Sequence, residues 1–243
     1  MSGNTLGLFG YITNGTVKNL GVEGSITGSG GLAHNVAGTS KIYNCYSAVT
    51  ISSSYFIGGL VGFAEIGVVI SNCYATGSVS LNNIGAEGSV GGLLGSGWYC
   101  SVSNCYATGA VVSNHPYGAG GVVGGLSYSS VSNCAALNPS LNFINTNTGR
   151  IGSYASGMSY TNNIAWDNML VNGAFLTTGT GANTKDGEDK DKTEVKTQAT
   201  YEALGWQFGT TDEAPWKMGV GDYKLPVLWW QTEAPTEMPE HLK

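Results

Sequence analysis

Short stretches of alternating apolar and polar residues run through about the first three quarters of the chain. In residues 68–79, Cys73 and Ala75 alternate with Tyr74 and Thr76. A period of two is typical of a β-strand, in which successive side chains point to opposite faces. This part of the chain shows no 3.6-residue period flanked by helix caps. The pattern therefore predicts short strands there.

The strand-like stretches belong to an internal repeat. A Gly-Gly-Leu-Val-Gly corner and a later Asn-Cys-Tyr-Ala-Thr-Gly segment fill residues 58–79 and recur at 91–109. Fainter copies occupy 7–20, 31–47, 120–135 and 150–165. One asparagine per copy marks the phase, and successive markers are 25 to 32 residues apart: Asn19, Asn44, Asn72, Asn104, Asn133 and Asn163. Repeats of this length, with insertions confined to one arc, indicate a solenoid.

We therefore expect an all-β fold, a parallel β-solenoid of about six coils in residues 1–175. Parallel crossovers are overwhelmingly right-handed, so the winding should be right-handed. Residues 176–196 are polar and charged and are expected to form an exposed loop or linker. Residues 197–243 are rich in tryptophan. They are expected to cap the open end of the solenoid, with one short helix between Thr197 and Gly205, and to finish in an exit segment.

Charged residues make up 11% of the chain, against about 25% in ordinary globular proteins. The 25 aromatic residues argue against disorder, and the apolar runs are too short for a membrane helix. A net charge of −6 without basic patches argues against nucleic acid and against insertion in anionic membranes. The chain starts in a repeat without a secretory signal, so we expect a piece of a longer extracellular or surface protein.

The repeat resembles the GLUG repeat of bacterial surface proteins and of some proteins named immunoglobulin A1-specific metallopeptidases. The closing segment is similar to the tail that follows such repeats, in residues 197–206, at Trp216 and in residues 223–230. The resemblance implies a secreted or surface-displayed region of a bacterial protein. The related peptidases use a His-Glu-x-x-His motif, which this chain lacks. The resemblance therefore implies no catalytic residue and no cofactor.

Two columns of residues, one per coil, are expected to be structural. Stacked cysteines are close enough in principle to form disulfides, and thiolates can bind metal. A straight column does not suit a tetrahedral zinc site, however, and small buried side chains are the expected interpretation. We therefore expect no metal site. The asparagines tolerate left-handed backbone at a corner and can bond to the coils above and below. The predicted ladder contains Cys45, Cys73, Cys105, Cys134, Asn44, Asn72, Asn104 and Asn133.

Tyr46, Tyr74 and Tyr106 follow the cysteine in three consecutive coils, with Thr76 and Thr108 beside them. If the cysteines point inward, the tyrosine rings point outward and stack in one column. The column could be an exposed platform for sugar rings or a surface ladder that stabilises strand pairing. These five residues are the candidate ligand-binding site, and host or dietary glycans or host surface proteins are the expected partners.

The acidic residues do not form a pattern typical of a glycosidase or of a calcium-binding loop. Glu23, Glu65 and Glu87 are isolated, whereas glycosidases need a specific carboxylate pair. The loop 183–191 is dense in carboxylates but lacks the spacing of a calcium loop. We therefore expect a non-catalytic surface module that acts in adhesion or as a rigid stalk. The alternatives are an accessory region of a secreted immunoglobulin A1-type metallopeptidase and a carbohydrate-active β-helix enzyme.

Overall fold

The chain winds into coils that stack through parallel β-ladders. The structure, a computed structural model, describes residues 6–53, 55–82, 88–114, 118–144, 148–153 and 155–243. The coils place short strands on three main sides, and the strands of successive coils pair in parallel. This arrangement confirms the predicted parallel β-solenoid.

Five coils are complete. The first two contain β1 (Phe9–Thr13), β2 (Thr16–Lys18) and β3 (Gly21–Ile26), then β4 (Ala33–Ala37), β5 (Lys41–Tyr43) and β6 (Tyr46–Ser53). The third contains β7 (Ile57–Gly58), β8 (Val61–Ala64), β9 (Val69–Ser71), β10 (Tyr74–Ala75) and β11 (Val79–Leu81). The fourth contains β12 (Val90–Gly91), β13 (Leu94–Trp98), β14 (Ser101–Ser103), β15 (Tyr106–Ala107) and β16 (Val111–Ser113). The fifth contains β17 (Ala119–Gly120), β18 (Val123–Ser127), β19 (Ser130–Ser132), β20 (Ala135–Ala136) and β21 (Ser140–Phe143).

A partial sixth coil and a C-terminal segment complete the chain. The sixth coil contributes β22 (Ser159–Thr161), β23 (Ile164–Trp166) and β24 (Leu170–Val171), and β25 (Ala174–Phe175) turns back on it. The remaining elements are β26 (Glu188–Lys190), α1 (Gln198–Ala203), β27 (Trp216–Met218), β28 (Pro226–Leu228) and 3₁₀ turns at Glu194–Lys196 and Glu240–Leu242. The predicted helix between Thr197 and Gly205 is present. Among the described residues, none of the helices has the length and hydropathy needed to cross a bilayer.

The strands form three main sheets. The first sheet has the order β1-β4-β8-β13-β18, and the second has the order β2-β5-β9-β14-β19-β22. The third sheet runs from β3 and β6 through β10, β15 and β20 to β23 and β26 on one path, and through β11 and β16 to β21 and β24 on the other. Because all three sheets continue from coil to coil, each position of the repeat becomes a column along the solenoid.

Inward side chains fill the solenoid with apolar columns. In the second sheet, Ile42, Ile70, Val102 and Val131 lie in register and are fully buried. At the glycine corners the backbones approach more closely than a side chain permits. A Cβ added to Gly91 would lie 2.2 Å from a backbone oxygen and 2.5 Å from a backbone nitrogen. The repeated glycines are therefore required by close contact between coils.

Asparagines with left-handed backbone form the corner that follows the second sheet. Nδ2 of Asn104 donates to Oδ1 of Asn72 (3.1 Å), and Nδ2 of Asn133 donates to Oδ1 of Asn104 (3.2 Å). The next member is Asn162, whose Nδ2 donates to Oδ1 of Asn133 (3.0 Å). All four have φ between 50° and 55°. The expected sixth marker, Asn163, is therefore wrong by one residue.

Residues 176–196 are largely exposed, but they pack on the C-terminal end of the stack around a buried arginine and so do not form a separate linker. The strand β26 pairs in parallel with β23. Arg150 is fully buried, and its guanidinium donates to the carbonyl oxygens of Asp186, Trp166 and Gly187 and to Oδ1 of Asp189. A planar guanidinium with several fixed donors suits such a ring of acceptors.

The C-terminal segment, residues 197–243, lies along the side of the solenoid. The indole N–H of Trp206 donates to the carbonyl oxygen of Asn133 in coil five (2.8 Å). The indole N–H of Trp230 donates to the carbonyl oxygen of Asn44 in coil two (3.0 Å). Together with the bonds of Asp212 to coil one, these contacts place the segment along one flank from coil one to coil five. This position differs from the expected cap over the open end.

We expect Arg150→Ala to lower the free energy of unfolding by about 3 kcal/mol, because it leaves buried carbonyl oxygens without a donor. Denaturant unfolding followed by circular dichroism measures this. Arg150→Lys keeps the charge but loses the planar fork, so its stability should fall between the two. An Arg150→Ala protein as stable as the wild type would contradict the structural role of this residue.

Candidate functional site

Tyr46, Tyr74 and Tyr106 form one column, as predicted. The third sheet pairs Tyr46 with Tyr74 and Tyr74 with Tyr106. Their ring centroids are 5.1 and 4.8 Å apart, and the ring planes differ by only 9° and 6°. Parallel pairing of identical positions thus produces a continuous aromatic stack.

The expectation that this column is exposed is wrong. Tyr74 is 1% exposed and Tyr106 is 0% exposed, whereas Tyr46 is half-buried. The ring of Trp216 lies 6.4 Å from that of Tyr74 and 6.1 Å from that of Tyr106, and Trp230 stacks 5.8 Å from Tyr46. The tryptophans of the C-terminal segment occupy the surface on which a ligand was expected.

The hydroxyls of the buried tyrosines also bond within the chain. The Tyr74 hydroxyl donates to Oε1 of Gln231 (2.9 Å). The Tyr106 hydroxyl donates to the carbonyl oxygen of Pro226 (2.7 Å). Burial raises the pKa of both tyrosines. The predicted ligand-binding column is therefore an internal interface in this structure.

Thr76 and Thr108 lie beside the tyrosine column and line a cavity of about 370 Å³. Its opposite wall belongs to the end of the C-terminal segment and includes Glu237 and His241. The His241 side chain places Nε2 2.7 Å from the carbonyl oxygen of Leu137, and burial lowers its pKa. The structure thus brings the two threonines together, although it does so in a cleft rather than on an open face.

The cysteine column is buried, as predicted. Cys45, Cys73, Cys105 and Cys134 are all 0% exposed and are free thiols. Each Sγ lies within 3.0–3.2 Å of the carbonyl oxygen two residues before it. Burial is the main cause that raises the pKa values of Cys73 and Cys105. Asn163 continues this column in coil six, where its Oδ1 accepts from the Cys134 N–H (2.8 Å).

The remaining member of the predicted ladder, Asn44, bonds to the C-terminal segment. Its backbone is left-handed, with φ of 53°. Its Nδ2 donates to the carbonyl oxygen of Asp212 (3.1 Å). The carboxylate of Asp212 accepts from Lys18 (2.8 Å) and from Asn19 (2.9 Å). The asparagine column therefore anchors the C-terminal segment at coils one and two.

The isolated glutamates have separate partners. Glu23 accepts a hydrogen bond from the Tyr46 hydroxyl (2.8 Å), and Glu65 accepts one from Asn35 (3.1 Å). Glu87 lies outside the described residues. Within the described ranges, no group of three or more His, Cys, Asp or Glu side chains is placed to hold a metal.

Carboxylates of the loop 183–191 bond to donors of the chain itself. Asp186 accepts from the backbone N–H of Arg150 (3.0 Å) and pairs with Lys185 (3.0 Å). Asp191 accepts from the backbone N–H groups of Thr193 and Glu194. These contacts give the loop a structural role at the end of the solenoid and favour it over the calcium-binding interpretation.

A second tyrosine pair, which sequence reasoning missed, is open to solvent. Tyr99 and Tyr128 are each 53% exposed, and their rings stack 5.0 Å apart with planes 7° from parallel. Both have φ of 49°. In the described ranges, every other non-glycine residue with positive φ is an asparagine. A left-handed backbone costs an ordinary residue about 1–2 kcal/mol, and such strain clusters at functional sites.

This pair had a signal in the sequence. Tyr99 and Tyr128 are 29 residues apart, which is one repeat, and each stands two residues before a serine that opens a strand. The alignment of Tyr99 with Tyr128 could therefore be predicted from the sequence. Their left-handed backbone and their exposure to solvent are visible only in the structure. Trp98, which precedes Tyr99, is 49% exposed. We call Trp98, Tyr99 and Tyr128 the aromatic corner.

We expect the tyrosine column to lower the stability of the protein as pH rises above about 10, the usual tyrosine pKa. This loss adds to that from the buried cysteines, which begins nearer the usual cysteine pKa of about 8.5. Below about pH 10, tyrosines are neutral in both states. Above it, unfolded tyrosines ionise while Tyr74 and Tyr106 stay protonated, because burial raises their pKa values; unfolding is then favoured. Burial, followed by the hydrogen bond to Glu23, also raises the pKa of Tyr46 to about 12.

Urea unfolding between about pH 8 and pH 11 measures this loss. Tyr106→Phe removes one of the groups, so its stability should depend less steeply on pH than that of the wild type. Wild-type stability that stays constant over this range would contradict the burial of the column.

The comparisons with known proteins agree with the repeat. The family model described as the GLUG motif matches residues 53–80, 86–112 and 115–142. These matches cover coils three to five. None of the curated proteins matches the chain.

The fold is similar to that of a solved structure from another protein. It is the crystal structure of a Bacteroides ovatus protein titled "putative immunoglobulin A1 protease". The alignment has a TM-score of 0.73 and 24% sequence identity, and it covers 91% of this chain and 70% of that one. At this identity the likeness concerns the fold. Taken with the coil geometry, these findings identify the chain as a parallel β-solenoid that carries three GLUG motifs.

Proposed function

We propose that this repeat module is a non-catalytic, extracellular or surface-displayed domain that binds ligands in adhesion. The solenoid supplies a rigid support, since five coils are joined along three sheets. The aromatic corner supplies the binding surface. Glycans and host surface proteins are the proposed partners.

The exposure of the aromatic corner is the observation that carries the proposal. The chain covers its tyrosine column with its own tryptophans, yet it leaves Trp98, Tyr99 and Tyr128 about half-exposed. Exposed aromatic side chains that are held rigidly are typical of binding surfaces, because they bury much area on contact and lose little conformational freedom. A simple stalk would have no need of them.

A second candidate is an accessory region of a secreted immunoglobulin A1-type metallopeptidase. The name of the Bacteroides ovatus protein with a similar fold favours it. In that role the solenoid would bind the immunoglobulin and a catalytic domain elsewhere would cleave it. The third alternative, a carbohydrate-active enzyme, gains no support from Glu23 and Glu65, because they lie in different coils, one and three, and each bonds to a neutral partner.

The test is a binding screen of the purified chain against mucin glycans, plant polysaccharides, matrix proteins and immunoglobulin A1. We expect the wild type to bind at least one of them and to leave immunoglobulin A1 uncleaved. Trp98→Ser should weaken binding several-fold, because it removes one exposed ring. This substitution is conservative for the fold, since Ser127 occupies the same column in the next coil.

Tyr11→Asn is the matched control. Tyr11 is 69% exposed but lies in coil one, and Asn35 occupies its column in coil two. This variant should bind like the wild type. A wild-type chain that binds none of the ligands would contradict the proposal and leave a stalk. Binding of immunoglobulin A1 alone would favour the second candidate, and cleavage of it would contradict a non-catalytic module.

A further inference from the structure

We propose that the open face of the Tyr99 ring, above Gly67, is a subsite for a neutral sugar ring. The inference rests on the proposed function and names the ligand class for one part of the aromatic corner. The sugar would stack on Tyr99 as a third member of the Tyr99–Tyr128 stack, at the position where the preceding coil has Gly67 and therefore no side chain.

The register of the second sheet places Gly67, Tyr99, Tyr128 and Gly157 in one column. Ser101 pairs with Val69 and with Ser130, so the residues two positions earlier, Gly67, Tyr99 and Tyr128, are also aligned. The backbone N–H of Gly67 donates to the carbonyl oxygen of Tyr99 (3.0 Å). Each of the four residues has a left-handed backbone. Two rings therefore stand between two glycines.

The two ends of this stack differ. A Cβ added to Gly157 would lie 2.5 Å from Cδ1 of Tyr128, so the Tyr128 ring covers that glycine. A Cβ added to Gly67 would have its three nearest neighbours in Gly38 and Thr39, at 3.0 Å or more, and none in Tyr99. The Tyr128 ring therefore lies against the backbone of Gly157, whereas Gly67 presents no side chain to the Tyr99 ring.

A shallow cavity of about 410 Å³ runs along this column over coils three to five. Its lining includes Gly67, Tyr99 and Tyr128, and the serines Ser101 and Ser130. This volume is in the range of small-ligand sites. The apolar face of a pyranose can stack on an aromatic ring, and serine hydroxyls can bond to sugar hydroxyls.

The charge of the lining indicates which sugars fit. None of the residues that line the cavity is acidic or basic. A carboxylated sugar would lose part of its hydration without meeting a cation, which is unfavourable. The site therefore suits a neutral hexose or N-acetylhexosamine better than a uronic or sialic acid.

The test uses saturation-transfer NMR and titration of the full chain with galactose, N-acetylglucosamine, cellobiose, glucuronic acid and sialic acid. We expect at least one neutral sugar to bind and Tyr99→Asn to weaken that binding by about tenfold. Asparagine is the residue that the other strained corners carry, so this variant should melt at or above the wild-type temperature. Tyr11→Asn is again the control and should bind within twofold of the wild type.

Ser101→Ala provides a second variant that leaves the corner backbone unchanged, and we expect it to weaken binding several-fold. Neutral-sugar binding that survives Tyr99→Asn would overturn the subsite but leave the proposed function standing. Preference for the acidic sugars would also overturn it. A wild-type chain that binds no sugar in this titration but binds a protein in the ligand screen would overturn the subsite alone. A chain that binds nothing in either the titration or the screen would overturn both the subsite and the proposed function.

Discussion

Parallel pairing between successive coils is the constraint on which the rest of the structure depends. It holds each position of the repeat over its counterpart in the next coil, at about 4.8 Å. Small or apolar residues then fill the interior columns, as the cysteines and the valine–isoleucine column do. Glycine is required where backbones meet, and asparagine is favoured where the chain turns with positive φ. A shift of one residue in this register would move every column to the wrong face.

The same constraint produces two aromatic stacks, one largely buried and one exposed to solvent. The stack of Tyr46, Tyr74 and Tyr106 is covered by tryptophans of the C-terminal segment. The hydroxyls of Tyr74 and Tyr106 donate to Gln231 and to the carbonyl oxygen of Pro226 in the same segment. The stack of Tyr99 and Tyr128 sits at a strained corner and stays in solvent. Covering the first stack stabilises the solenoid along its flank. The second stack gains no such cover, which makes it the better surface for a partner.

The fold was predictable because every coil repeats the same local signal. The buried cysteines and the asparagine corner followed from period and alternation alone. The error at Asn163 arose because two asparagines are adjacent, and only strand pairing shows that Asn162 occupies the corner. The burial of Tyr74 could not be predicted, since it depends on Gln231 and Trp216, which lie far along the chain. The sequence of residues 176–196 predicted a linker because it is polar and rich in carboxylates. In the fold, Arg150 donates hydrogen bonds to the carboxylates of Asp186 and Asp189 and so holds this segment against the solenoid.

The contrast between the covered and the open tyrosine stacks is the central claim, and limited nitration of the native protein tests it directly. Peptide mass spectrometry would report the modification rate of each tyrosine. The structure predicts that Tyr99 and Tyr128 are nitrated early, whereas Tyr74 and Tyr106 are protected until the protein unfolds. Nitration of Tyr74 and Tyr106 at the rate of Tyr99 would contradict the account, because it would show that the C-terminal segment leaves its column open to solvent.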